Sequence, residues 1–396
     1  MCKGVRANAC NILCLSLQSP IVTDPALDTV LSWLQTVLPL RWPAAGLKTV
    51  RELKGDASAR RYWRVYLERG ASDAPASVIA AYLGPYDLPT YARALKLLPE
   101  PLPEPLYLNV GRYLKTLGVS VPELYWTNDA KPADPAARPT LSGDPAAIDP
   151  SRLILVEDVG EVSLIDAVKL RPTRAPELFR AAIDELIRFH VDGTARRDPR
   201  CLAFSIAYDE RLFAWEMEQF LNEGLAAINA EAEREVVAPE LARLAAALGR
   251  LPRVFSHRDF HGYNLFVGPD GRLRVLDFQD ALMAPAAQDL AVMLTTRDSV
   301  SVIGPLLEAD LVAYYIEQAQ HRARPQSALL LDPVGFLEEY RLAVLQHALK
   351  AIGRFAQLSR LGQEHYRAYL PFCVEQARRM LGASDDFPVL RGILCR

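Results

Sequence analysis

Residues 254–281 read VFSHRDFHGYNLFVGPDGRLRVLDFQDA, and the succession of apolar and polar segments in them decides the fold. Val254 and Phe255 lead into a polar loop, His257-Arg258-Asp259-Phe260-His261-Gly262-Tyr263-Asn264, after which Leu265, Phe266 and Val267 resume a strand. Gly268-Pro269-Asp270-Gly271 is a turn signal, since glycine and proline supply the backbone angles a tight reversal needs. Leu273, Val275 and Leu276 form a second strand ending at Asp277. A hairpin of this kind sets two polar strand ends side by side, one carrying Asp259 and Asn264, the other Asp277. Three oxygen-bearing side chains so placed suit Mg²⁺ and a proton acceptor, because a hard cation wants oxygen ligands and phosphoryl transfer needs charge neutralised.

The spacing has a specific reading. His-Arg-Asp with Asn five positions after the Asp is the catalytic-loop pattern of kinase-fold phosphotransferases, and an Asp closing the next strand is the metal-holding partner. On that pattern Asp259 accepts or orients the proton of an acceptor hydroxyl, while Asn264 and Asp277 hold Mg²⁺ on the phosphates of ATP. A polar hairpin with solvated carboxylates is the plainer alternative, but loop, hairpin and third carboxylate all occur in order.

With 396 residues, 50% of them apolar and 23% charged, the chain is long enough for two domains or one bilobal enzyme with a sizeable core. A net charge of −3 makes no electrostatic case for nucleic acid or an anionic membrane as partner. The six cysteines include no CxxC and no Cys/His cluster with zinc spacing, so reduced thiols in a cytoplasmic protein are expected. Lys3 and Arg6 precede a short apolar stretch next to Asn11 with no clear cleavage site. Residues 1–23 therefore read as an irregular extension, or as upstream sequence read from an early start. No run approaches the ~18 apolar residues of a membrane span. A monomer is compatible with all of this.

Residues 24–38 fit a helix capped by Asp24 with Pro25 at its first position. Residues 49–67 read as strand, turn, strand, the turn being Gly55-Asp56-Ala57-Ser58. Small residues there let backbone N–H groups approach phosphate oxygens. An ordinary hairpin is the alternative, and the downstream loop favours the nucleotide reading. Arg60, Arg61 and Arg64 either reach phosphates or line a solvated strand face. The next strand, residues 77–83, lacks the lysine that kinase-fold enzymes usually carry there. Lys48, Lys54 or an arginine could substitute. Residues 106–117 form a helix closed by Gly118, and residues 128–150 read as a surface insertion. The apolar residues 153–156 then run into Glu157-Asp158-Val159-Gly160, the place of a kinase hinge, where backbone groups of Glu157 and Val159 would bind adenine.

From Leu164 onward helical patterns dominate. His190 reads as a packed or capping residue. Asp289 either accepts N–H bonds from the catalytic loop or caps its own helix, and it is grouped with His257 as structural support. The expected division is an extension (1–23), a nucleotide-binding N-lobe (24–160, with an insertion at 127–150) and a catalytic, acceptor-binding C-lobe (161–396).

Several stretches together resemble the aminoglycoside phosphotransferase/choline kinase superfamily. They are Gly55-Asp56-Ala57-Ser58 with Arg60-Arg61-Tyr62, Leu155 through Gly160, Tyr208-Asp209-Glu210, the His257–Asn264 loop, Asp277-Phe278-Gln279-Asp280-Ala281, and Leu349-Lys350 through Gly353 and Phe355. The Asp277 stretch and the Lys350 segment point in particular to the bacterial N-acetylmuramate/N-acetylglucosamine anomeric kinases of cell-wall recycling. The resemblance runs from about residue 53 to the C-terminus, apart from the insertion. It implies a bilobal α+β protein-kinase-like fold, with a small antiparallel-sheet N-lobe and a larger, mainly helical C-lobe. It also implies ATP-dependent phosphorylation of the anomeric hydroxyl of an amino sugar, whose product feeds a nucleotidyltransferase.

A small-molecule acceptor follows independently. The segment between Asp277 and Asp289 is too short for the activation loop on which a protein kinase docks a peptide. A helical lobe offers walls for a closed pocket instead. Trp215, Glu216, Asp280 and Arg354 are the candidates to line it, the aromatic ring stacking on a sugar face and the polar groups binding hydroxyls. Each of them also reads as an ordinary core or surface residue. An acidic pocket would favour a cationic acceptor, such as an aminoglycoside or a choline-like alcohol. A nucleotide-binding pseudokinase has only the absent lysine in its favour.

Overall fold

The computed structural model describes residues 24–53, 60–69, 73–84, 89–99, 102–128, 148–323 and 332–395. The extension 1–23, Lys54, the turn Gly55-Asp56-Ala57-Ser58 and residues 129–147 of the insertion lie outside the described residues.

The Asp24 side chain accepts the Ala26 N–H at 3.0 Å and Pro25 stands in the first turn, so helix α1 (Pro25–Arg41) begins where its capping chemistry predicts. One apolar stripe of α1, including Val30, Leu34 and Val37, packs on a five-stranded antiparallel sheet. Its strands are β1 (Ala45–Leu53), β2 (Arg61–Arg69), β3 (Ser77–Tyr82), β4 (Leu124–Thr127) and β5 (Leu153–Glu157), in the order β1-β2-β3-β5-β4. Side chains alternate between the two faces of a strand. Trp63, Val65, Val78 and Leu155 therefore point to α1, while Ile79, Ala81, Ile154 and Val156 form an apolar patch on the opposite face.

Helices α2 (Thr90–Ala94) and α3 (Leu106–Leu117) join this sheet to the helical lobe. Tyr107 of α3 packs on Phe278, the residue after Asp277, with ring centroids 4.9 Å apart. Past Gly160, whose φ of +91° suits only a residue without a side chain, the chain turns into helices. These are α4 (Leu164–Leu170), α5 (Ala175–Ile187), α6 (Glu210–Gln219), α7 (Leu225–Ala227) and α8 (Arg234–Gly249), then α9 (Ala286–Thr295) and α10 (Arg297–Arg322). Helices α11 (Pro333–Arg360), α12 (Leu370–Leu381) and α13 (Pro388–Leu394) complete the lobe. They enclose one core in which every residue of α9 is buried. Gly353 lets α11 lie directly on the chain leaving α6, because a Cβ there would come within 2.4 Å of the Gln219 backbone.

By length and composition α10 could cross a membrane, although it holds no unbroken apolar run of that length. Glu308 and Asp310 interrupt its apolar residues; the helix is broken at Gly304 and buries Leu311, Tyr315 and Ala319 in the lobe's core.

The hairpin predicted at residues 254–277 forms as expected. Strand β6 (Arg253–Ser256) pairs with β9 (Leu282–Pro285), and β7 (Leu265–Val267) pairs with β8 (Leu273–Val275). Arg274 of β8 is 2.9 Å from the Glu157 carboxylate, and the Val275 N–H donates to the Ser120 carbonyl at 2.7 Å. The hairpin is thus tied to the strand exit that the sequence reading took for a hinge.

Candidate active site

Strand β6 delivers the chain into the loop, and Asp289 on α9 holds it there. Its two carboxylate oxygens accept the backbone N–H groups of His257 and Arg258 at 2.6 and 2.7 Å. Behind it His190 Nε2 lies 3.2 Å away, and His190 Nδ1 meets the Tyr315 hydroxyl at 2.7 Å, all of it buried. Of the two roles open to Asp289, this is loop support, since Pro285 occupies the N-cap of α9. The π-helical turn Arg188–Gly193 at the end of α5 carries His190 inward. The clamp lets Arg258 adopt a φ of +81°, a conformation that costs a residue with a side chain on the order of 1–3 kcal/mol.

His257 links the two strand ends. The Asp259 N–H donates to its Nδ1 at 3.3 Å, which leaves the ring proton on Nε2 to donate to the Leu276 carbonyl at 2.9 Å. Asn264 donates its side-chain N–H to the Asp259 carbonyl at 2.9 Å, and its own carbonyl accepts the Leu276 N–H at 2.8 Å. Asp259, Asn264 and Asp277 therefore stand on one hydrogen-bonded frame. Asp277 itself sits at φ +59° with its side chain 47% exposed, 3.0 Å from Arg60 Nη1 and 2.6 Å from Gln279 Nε2.

Asn264 and Asp277 open into a cleft of about 610 Å³ between the sheet and the hairpin. Leu53, Ile79 and Val156 line its sheet side, Phe266 and Leu276 its hairpin side, and Glu157 and Val159 its edge. The Asn264 side-chain oxygen Oδ1 and the Asp277 carboxylate are hard donors that fit Mg²⁺. Among the described residues no group of three or more His, Cys, Asp or Glu could hold a metal by itself.

A second cavity, of about 390 Å³, lies on the other side of the same loop. His261 and Tyr263 of the loop, His347 and Phe355 of α11, and Tyr366 and Tyr369 before α12 are among its lining residues. Tyr263 belongs to both cavities. Asp259 itself lines neither cavity; its loop neighbours His261 and Tyr263 line the second, and its charge acts on His261 and His347 there.

The electrostatics follow from burial against charge. Burial alone would raise the Asp259 pKa, but Arg258, Lys350 and the two loop histidines outweigh it and hold the carboxyl at about 2. Burial also raises Asp280, and there the opposing pull of Arg258 does not win. Burial and the nearby Lys350 push His347 down to about 4. Glu216 is buried too, yet Lys350 and Arg258 lower it.

The family model described as the phosphotransferase enzyme family matches residues 49–326, well over half of the chain. The chain belongs to this family. It is an ATP-dependent phosphotransferase. An N-acetylmuramate/N-acetylglucosamine kinase of Caulobacter vibrioides is 30% identical over 354 residues, covering 83% of this chain and 87% of the relative. A kinase of the same name from Neisseria meningitidis serogroup B is 38% identical over 134 residues, 33% of this chain and 37% of its own. Among solved structures, a spectinomycin phosphotransferase in complex with ADP and spectinomycin superposes with a TM-score of 0.51 at 13% identity, over 92% of this chain and 98% of that one. An ADP-bound aminoglycoside phosphotransferase gives 0.50 at 12% identity, over 88% and 98%. At such identities the likeness is one of fold, and the fold is the bilobal kinase-like one expected.

The site of this phosphotransferase departs from the sequence reading at several residues. Arg60 lines the cleft, but Arg61, one position on, points to the opposite face of β2. There Glu52 and Asp24 take its guanidinium at 2.8 and 3.0 Å, so a nucleotide contact for Arg61 is corrected by strand alternation. Arg64 returns to the cleft side, where Asp158 (2.7 Å), Glu161 and the Gly160 carbonyl bind it. Lys48 lies exposed at the β1 bulge and does not line the cleft, which leaves Arg60 as the described cation beside Asp277.

None of the four acceptor candidates lines the second cavity. Asp280 faces the cleft between the sheet and the hairpin, 3.8 Å from Arg258. Glu216, 2% exposed, is enclosed by Arg258 (3.1 Å), Lys350 (2.9 Å), Gln346 (3.3 Å) and the Tyr208 hydroxyl. Trp215 packs half-buried against the core, and Arg354 lies exposed on α11, bonded to Gln357. Phe355 of α11, Phe372 of α12 and Tyr366 and Tyr369 between them supply its aromatic walls. Phe355, already part of the Lys350 motif, was the available signal.

Proposed function

We propose that this phosphotransferase moves the γ-phosphoryl group of ATP to the anomeric hydroxyl of an amino sugar, N-acetylmuramate or N-acetylglucosamine, in cell-wall recycling. The observation that carries this reading is the likeness over 83% of the chain to a kinase named for those two sugars. A cavity with aromatic rings in its walls, lined also by the loop that carries Asp259, supports it, because flat rings pack on the apolar face of a pyranose.

In this reading the acceptor occupies the second cavity and the nucleotide the cleft. Asp259, ionised down to about pH 2, is a weak base and a good hydrogen-bond acceptor. It orients the sugar hydroxyl, and the proton leaves late, as suits a loose, largely dissociative transition state. Asn264 and Asp277 hold Mg²⁺, which when bound neutralises charge on the phosphate oxygens. Arg60 releases Asp277 and turns to the phosphates in place of the absent strand lysine. At the hinge the Glu157 N–H is already taken by the Glu123 carbonyl at 2.8 Å, so the Val159 N–H is the adenine donor. The lobes divide near residue 160, and the enzyme acts as a cytoplasmic monomer. Its catalysis comes from positioning and preorganised charge, with no covalent enzyme intermediate.

A panel of acceptors with ATP and Mg²⁺ tests this, with the phosphorylated carbon located by NMR. Turnover of the two amino sugars with phosphate on C1 is expected; turnover confined to aminoglycosides or choline-like alcohols rejects the reading. Asp277→Asn is expected to raise the Mg²⁺ concentration needed for nucleotide binding at least about tenfold, the loss of one charged contact. Titration of nucleotide fluorescence with Mg²⁺ reads this out, and binding without Mg²⁺ should change far less.

A further inference from the structure

The second cavity has a charge pattern that its aromatic walls do not require. Four ionisable side chains with nitrogen or carboxylate groups line it: His261, His347, Arg297 and Asp298. Asp298 is its described carboxylate, and Lys169 at 3.6 Å and Arg297 at 3.4 Å both engage it. A cationic acceptor would therefore meet no free acidic wall. Arg297, the first residue of α10, has its guanidinium carbon 3.9 Å from the centroid of the Tyr369 ring, itself part of the lining. Its contact to Asp298 is a long one to its sequence neighbour. A guanidinium fixed face-on by an aromatic ring keeps its in-plane N–H donors at its edges, where they match a carboxylate two to two.

The two sugars of the functional reading differ by one group. N-acetylmuramate carries a lactyl ether with a carboxylate on C3, where N-acetylglucosamine has a hydroxyl. We propose that Arg297 binds that carboxylate and is the residue by which the enzyme favours the acidic sugar. The inference rests on the acceptor reading given above and adds its specificity. The catalytic loop supplies one part of the cavity lining and the start of α10 another. In this reading C1 faces the loop at His261 and Tyr263, and C3 faces Arg297. Tyr369 holds the guanidinium in place before the acceptor arrives, so little ordering is left to binding.

The test is the ratio of kcat/KM for N-acetylmuramate to that for N-acetylglucosamine, measured in wild type, R297Q and R297K. R297Q is expected to lower the ratio about 10- to 150-fold, the range for a hydrogen bond to a charged group. R297K, which keeps the charge but loses the planar fork, should recover part of it. The loss should fall mainly on KM for N-acetylmuramate. Melting temperatures of the three proteins confirm that each is folded. A ratio unchanged in R297Q, or a ratio lowered equally in R297K and R297Q, overturns the assignment while leaving the sugar-kinase reading intact. A wild-type enzyme inert toward both sugars overturns that reading, and this inference with it.

Discussion

Asp259→Asn is expected to lower kcat by about 10²–10⁴-fold, the contribution of a positioned acid–base group. The substitution keeps shape and volume, and the amide can still accept a hydrogen bond. What it loses is the negative charge that aligns the acceptor hydroxyl and takes its proton. Nucleotide affinity should move little, because Asn264 and Asp277 supply the Mg²⁺ donors. The same change has a stability signature. The folded pKa of Asp259, about 2, lies below its ordinary 3.8, because Arg258, Lys350 and two histidines more than offset burial. A depressed carboxyl stabilises the fold above its unfolded pKa and loses that contribution as pH falls through the folded one. Asp259→Asn should therefore be less stable than wild type by about 2 kcal/mol at neutral pH. The gap should close between pH 4 and about 2. Paired denaturation curves across that range check the sign. Wild-type kcat should show no acid limb from Asp259 at any pH above 4. A variant that keeps kcat within a few-fold would remove Asp259 from the reacting centre.

Glu216→Gln carries the largest expected loss of stability. The Glu216 carboxylate is buried between Arg258 and Lys350 and also accepts from Tyr208 and Gln346. Arg258 in turn stacks on Tyr91 at 3.9 Å. Neutralising Glu216 removes the carboxylate that bridges the two cations and leaves Arg258 the longer contact to Asp280 at 3.8 Å; breaking a buried pair in this way typically costs about 3–5 kcal/mol. For a chain of this size that is a drop in melting temperature on the order of 10 °C. The Glu216 pKa is also lowered, so variant and wild type should converge in stability as pH falls below the ordinary carboxyl range. Arg258 neighbours Asp259, so kcat should fall as well, even in protein that remains folded. Calorimetry with steady-state kinetics separates this from direct sugar recognition. A residue that only touched the sugar would raise KM and leave the melting temperature unchanged, and that outcome would put Glu216 in the acceptor pocket after all.

The frame of the candidate site was legible in the chain itself because its determinants are local. Asp259, Asn264 and Asp277 lie on one loop and hairpin, where strand period, a Gly-Pro-Asp-Gly turn and short-range hydrogen bonds set the frame. The cap of α1 and the closing glycine of α3 were readable for the same reason. Even the error at Arg61 was a local one, since alternation along β2 already separates it from Arg60 and Arg64. Folding alone decided the rest. Asp289 had two possible roles, and only the packing of α9 beneath the loop chose between them. Glu216 and Lys350, 134 positions apart, form an ion pair that no sequence spacing announces. The second cavity draws on the loop, α4, α9, α10 and α11 through α12. A local pattern constrains the angles within a segment. Which faces of distant helices meet is decided by the apolar surface they jointly bury, and that sum is taken over the whole chain.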